Sequence, residues 1–163
     1  MKTLIVYDSF FGCTEKIAQE IGAALTKHSF VSVVKVDQTT PDMLKEIDLL
    51  IIGSPTRAFS PSPNTKAFLK RLQPDQLRGV RVAAFDTRIG DIEKAPKILR
   101  FLVKIFGYAV EPMLKSLVKN GGIQAVTPGW FYVNDMEGPV KEGELERAAA
   151  WAEEIALATS SAV

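Results

Sequence analysis

Short runs of β-branched apolar residues alternate along this chain with longer segments whose apolar side chains recur at helical spacing. A strand that is apolar at nearly every position must be covered on both faces, and a parallel sheet with helices on each side does this. Five strands read this way, at residues 3–7, 31–36, 49–52, 80–85 and 123–126, with 130–133 as a candidate continuation of the fifth. The second differs, because Ser32 and Lys35 lie between its valines. One of its sides is therefore expected to reach solvent, which fits an edge position. The expectation is a three-layer, doubly wound α/β fold on a five-stranded parallel sheet of order 2-1-3-4-5.

Helices are expected over residues 14–27, 64–72, 112–120 and 142–159. Ile17, Ile21, Ala24 and Leu25 make the first one amphipathic, and the Gly121-Gly122 pair ends the third. The last carries Ala148, Ala149, Ala152 and Ala156, small enough for close approach to the sheet, while Glu142, Glu144 and Glu146 suit the dipole at its start. His28, the only histidine, is expected at the surface end of the first helix. With 163 residues the chain is expected to form one domain, 1–163.

Charge and cysteine content narrow the function classes. Twenty Lys and Arg against 19 Asp and Glu leave a formal charge of +1, so nothing points to a nucleic-acid partner. Cys13 is the only cysteine, which rules out an internal disulfide and a dithiol redox pair and fits a reducing cytoplasm. No apolar run approaches the roughly 20 residues of a membrane span, and the start of the chain does not read as a signal peptide.

In a doubly wound sheet the ligand sits beyond the carboxyl ends of the strands, so the loops after strands one, three and four are the informative ones. The first contains Ser9, Phe10, Phe11, Gly12, Cys13 and Thr14 and opens directly into a helix. Hydroxyls, a turn glycine and unpaired helix-start amides suit a phosphate monoester; Ser9 and Thr14 acting only as helix caps is the alternative. Neither the ATPase loop nor the dinucleotide fingerprint is present. No arginine follows Cys13 closely enough for a cysteine-dependent phosphatase, and Gly53-Ser54 stands where a receiver domain needs its acceptor aspartate. Asp8 and Asp86 close strands one and four and can bond loop amides or a ligand.

The third strand runs into Gly53-Ser54-Pro55-Thr56-Arg57-Ala58-Phe59, and the fourth ends in Asp86-Thr87-Arg88-Ile89-Gly90. Together with the first loop, these resemble the three cofactor loops of the flavodoxin family. The stretch Gly129-Trp130-Phe131-Tyr132-Val133 and the segment that follows it are similar to a subgroup of flavodoxin-domain proteins of unassigned role. The resemblance implies an FMN-binding flavoprotein acting in electron transfer. Ser9, Phe11, Gly12, Cys13 and Thr14 would hold the phosphate. Pro55, Thr56, Arg57, Ala58 and Phe59 would line one side of the isoalloxazine, with Phe59 stacked on it or else buried beneath the loop. Thr87, Arg88 and Gly90 would line the other side, and the guanidinium groups of Arg57 and Arg88 would bring positive charge to the ring.

Electron-carrier members are typically acidic and carry a glycine and a Trp or Tyr in the second loop; this chain is near neutral and has neither there. The expected partner is a redox protein or a small-molecule donor or acceptor. An NAD(P)H-dependent, quinone-reductase-like enzyme and a weakly binding, non-catalytic member stand as alternatives. Residues 98–106 are crowded with apolar side chains, for which the flavin, a second subunit in a homodimer, a partner or the protein's own core are the candidate covers.

Overall fold

In the computed structural model, which describes residues 1–90 and 94–160, the strands are β1 (Lys2–Tyr7), β2 (Phe30–Lys35), β3 (Leu49–Pro55), β4 (Arg81–Ile89), β5 (Ile123–Gln124) and β6 (Gly129–Val133). The helices are α1 (Cys13–Leu25), α2 (Pro63–Arg71), α3 (Lys97–Phe106), α4 (Val110–Lys119) and α5 (Glu144–Ser160). The sheet is parallel throughout and runs β2-β1-β3-β4-β5, with β6 also paired to β4. This is the expected doubly wound order, with one strand more than expected.

The extra strand is the far half of a broken edge ladder. β5 pairs with Arg81 and Val82, β6 pairs with Phe85 through Ile89, and the chain leaves the ladder between them. Trp151 of α5 sits at the break and donates its indole N–H to the carbonyl of Thr127 at 3.1 Å. Gly129 then re-enters the sheet beneath it, where a Cβ would lie 3.0 Å from the Trp151 ring and 3.2 Å from Cβ of Phe85.

Period-two alternation along the central strands sends side chains to two cores. Leu4, Val6, Leu50, Ile52, Val82 and Ala84 meet α2 and α4 through Phe68, Val110, Met113 and Leu117. Ile5, Leu49, Ile51, Ala83 and Phe85 meet α1 and α5 through Ile17, Ile21, Trp151 and Ile155. Phe85, Phe131 and Trp151 pack edge to face, with ring centroids 5.9 to 6.1 Å apart. β2 pairs with β1 alone and leaves Phe30 largely exposed, so it is the edge its polar residues forecast.

β3 and β4 continue past their expected ends, to Pro55 and Ile89. They stay hydrogen-bonded in register through Ser54 with Asp86 and Pro55 with Thr87, which brings two of the three candidate loops side by side. The crowded segment forms α3, in which no residue is fully buried. It is therefore not a core helix, and of the candidate covers for residues 98–106 the protein's own core is set aside. Gly107, at φ 70°, breaks the chain between α3 and α4.

Candidate cofactor site

The loop after β1 is closed by its own polar atoms. The Ser9 amide donates to Asp8 Oδ1 at 3.0 Å and the Gly12 amide donates to Ser9 Oγ at 3.0 Å. Gly12, at φ 90°, turns the chain into α1, where no side chain caps the first amides. Those donors face the loop without a protein acceptor from a cap, the arrangement that holds an anion. Thr14, in the first turn, is buried and shares a 2.8 Å hydrogen bond with the buried hydroxyl of Thr87 on β4. Two hydroxyls carry two protons and use one between them, so one O–H is left to donate elsewhere.

After β3 the chain makes a tight turn in which Arg57 and Ser60 exchange backbone hydrogen bonds of 2.9 and 3.0 Å. The two central residues, Ala58 and Phe59, have φ of 45° and 66°, a left-handed pair unusual for residues with a Cβ. This turn aims the Phe59 ring at Phe106 of α3, 5.8 Å between centroids. Phe59, expected either on the flavin or beneath the loop, is packed on α3 here and is not among the residues lining the cavity. The Arg57 guanidinium lies 4.4 Å from the Phe10 ring centroid and 5.8 Å from that of Phe11, tying the second loop to the first.

At the end of β4, Asp86 is fully buried and accepts both arms of Arg88 at 2.7 Å. It also accepts from Thr56 Oγ1 and from the Val110 amide at the start of α4, each at 3.1 Å. Burial pushes the Asp86 carboxyl above its ordinary range, and the Arg88 guanidinium with these donors opposes that shift. Arg88 stacks under Tyr108, 3.5 Å from the ring centroid. Its charge is thus compensated by Asp86, which leaves Arg57 as the cation of the cavity wall. The Thr56 hydroxyl is engaged by Asp86 and by the Ala109 amide, each at 3.1 Å. Burial also raises the Cys13 thiol, so it is a poor nucleophile near neutral pH.

These loops enclose a cavity of about 250 Å³. Ser9, Phe11, Cys13 and Thr14 line it from the first loop, Pro55, Thr56, Arg57 and Ala58 from the second, and Thr87 and Arg88 from β4. Gly12 shapes the first loop without lining the space; Gly90, also expected at the ligand, is not among the lining residues and donates its amide to the Val133 carbonyl at 3.3 Å. Phe10, Ile89, Val133 and Met136 line it as well and were not anticipated. Val133 and Met136 arrive because β6 runs parallel to β4 and delivers its own carboxyl-end loop to the same rim. The candidate continuation of the fifth strand was the one available sign of this.

A family model described as a flavodoxin domain matches residues 4–116. The chain belongs to the flavodoxin family. Among solved structures, oxidised flavodoxin 1 from Bacillus cereus matches with a TM-score of 0.74 at 17% identity, over 95% of this chain and 97% of that one. Flavodoxin 2 from the same organism matches with a TM-score of 0.73 at 24% identity, over 96% and 99%. Rubredoxin oxygen:oxidoreductase from Desulfovibrio gigas gives 0.75 at 19% identity, covering 98% of this chain and 36% of that one. At these identities the likeness shows the fold. No curated protein matches the sequence. Membership of the flavodoxin family implies flavin binding, typically of FMN. Among the described residues no helix is long and apolar enough to cross a membrane, and no cluster of His, Cys, Asp or Glu could hold a metal.

Proposed function

We propose that this protein binds FMN in the cavity beyond β1, β3 and β4 and acts in electron transfer. The observation that carries the reading is the meeting of uncapped α1 amides with the Thr14–Thr87 hydroxyl pair at one end of a cavity whose other walls are largely apolar. The residues present fit the cofactor. The amides at the start of α1 and the spare O–H of the threonine pair would bind the phosphate, while Phe11, Pro55, Ala58 and Met136 offer apolar surface for the ring system. Arg57 adds a positive wall, and Arg88, held by Asp86, keeps the rim beside it rigid. Bound FMN supplies reversible one- or two-electron redox chemistry; the protein supplies binding, orientation and electrostatics.

The donor and acceptor are a redox protein or a small molecule, and the free Cys13 suits a reducing cytoplasm. The near-neutral charge favours one second reading, an FMN-dependent reductase that takes electrons from NAD(P)H. Oxidation of NADH or NADPH by the FMN-loaded protein with a quinone present separates the two. The proposal itself is tested by the visible spectrum of the purified protein and by titrating the apoprotein with FMN and riboflavin, followed by fluorescence quenching. FMN is expected to bind far more tightly than riboflavin; equal affinities would remove the phosphate loop from the site.

A further inference from the structure

α3 carries two kinds of side chain on two sides. At 100° per residue its cations Lys97, Arg100 and Lys104 share an arc of about 60°, and the apolar side chains occupy about 200° of the remainder. Leu102 and Val103 are partly buried against the body, whereas Ile98, Phe101 and Ile105 are 65%, 57% and 56% exposed and form an outward ridge. The sequence holds no acidic residue from Lys94 through Val110. None of the three cations makes an ion pair among the described residues.

We infer that α3 is an interfacial helix that docks the protein reversibly on a bilayer rich in anionic lipid. A broad apolar face with Phe, Ile and Leu, bordered by Lys and Arg, is what lies at the boundary between acyl chains and headgroups. The cations reach the headgroups while the ridge enters the acyl region. Charge decides between occupants. Lysine is depleted at protein interfaces, and two of the three cations are lysine. A second copy meeting this one through α3 would bring six cations to one seam with no acid on either helix to pair them. An anionic leaflet is complementary to the whole face. Phe106 contacts Phe59, next to the cavity-lining Ala58, so docking through α3 holds the mouth of the cavity close to the lipid surface. The inference stands on the helix alone and does not require the proposed cofactor.

Co-sedimentation of the full chain with vesicles tests it. Binding is expected to phosphatidylcholine vesicles containing phosphatidylglycerol and not to pure phosphatidylcholine. It should be lost in about 1 M salt, where the Debye length is about 3 Å. Lys97→Gln with Lys104→Gln should weaken it about 30-fold, from about 1 kcal/mol per cation near an anionic surface. Phe101→Ser with Ile105→Ser should abolish it. These positions are exposed, and an unchanged melting temperature shows that the variants fold. In a Phe101→Trp protein, emission should shift to the blue on adding anionic vesicles. No binding to anionic vesicles, or binding that both double variants leave intact, overturns the inference. So does a dimer in sedimentation velocity that Phe101→Ser with Ile105→Ser dissociates while vesicles are ignored, which would make α3 a self-association surface.

Discussion

Asp86 and Arg88 form an ion pair whose carboxylate is sealed from water and whose guanidinium side chain is only 10% exposed. Such a pair adds little net stability over an apolar replacement, yet removing one half is damaging because the other stays buried and uncompensated. Asp86→Ala would strand Arg88 and leave the Thr56 hydroxyl and the Val110 amide without their acceptor. The expected loss is about 3 to 5 kcal/mol in urea unfolding. Replacing both members together, Asp86→Asn with Arg88→Met, should cost clearly less. A loss below about 1 kcal/mol in the single variant would mean that the pair does not hold the β4 end to α4. The sign of the pH effect follows from the raised carboxyl. The native state keeps the Asp86 proton to higher pH than the unfolded chain, so stability declines as pH rises from the ordinary carboxylate range through the raised value, and is flat above it. Asp86→Asn should remove that slope.

At the scale of elements, Gly53 shows where sequence motif and structural cause part. It belongs to the Gly-Ser-Pro-Thr stretch that resembles a cofactor loop, yet it lies inside β3, opposite Phe85 of β4. A Cβ there would meet the Phe85 ring at 2.1 to 2.7 Å, and the ring is locked by Phe131 and Trp151. Gly53→Ala should therefore cost about 3 kcal/mol or more, the upper end for overpacking, with its midpoint lowered and its m-value unchanged in urea. Gly53→Ala with Phe85→Leu should recover part of the loss; no recovery would place the strain elsewhere. The strands and helices were legible because each depends on local period, and strand order because only an edge strand tolerates the polar Ser32 and Lys35. Three features were not legible. The Arg57–Ser60 turn takes two left-handed residues without Gly or Asn, so no local signal marks it, and the direction of Phe59 follows from it. The β5–β6 break depends on Trp151, distant in sequence. Residues 98–106 read only as a crowded apolar segment, and composition says nothing of what covers it.

For the molecule as a whole, the site is a joint between separately folded loops, and a ligand filling it should brace them. The Thr14–Thr87 bond is a direct link from the first loop to β4, made by two buried hydroxyls. Thr14→Val alone leaves Thr87 unpaired and should destabilise the apoprotein by about 1 to 3 kcal/mol, whereas Thr14→Val with Thr87→Val replaces both partners by apolar groups of the same shape and should restore most of it. The double variant thus keeps the fold while removing the O–H proposed to reach the FMN phosphate. A ligand at 100 times its dissociation constant stabilises by about 2.7 kcal/mol, which for a domain of this size is a rise of about 5 to 10 °C in melting temperature. Loss of one hydrogen bond to a charged group, about 2 kcal/mol, raises that constant roughly 30-fold, so the same FMN concentration should stabilise the double variant by about 1 kcal/mol. Riboflavin, lacking the phosphate, should shift the wild type and the double variant alike and by less. Differential scanning fluorimetry of the two proteins with the two ligands separates the effects. An FMN shift as large in the double variant as in the wild type would show that the threonine pair serves the fold alone and that the phosphate is held by the α1 amides without it.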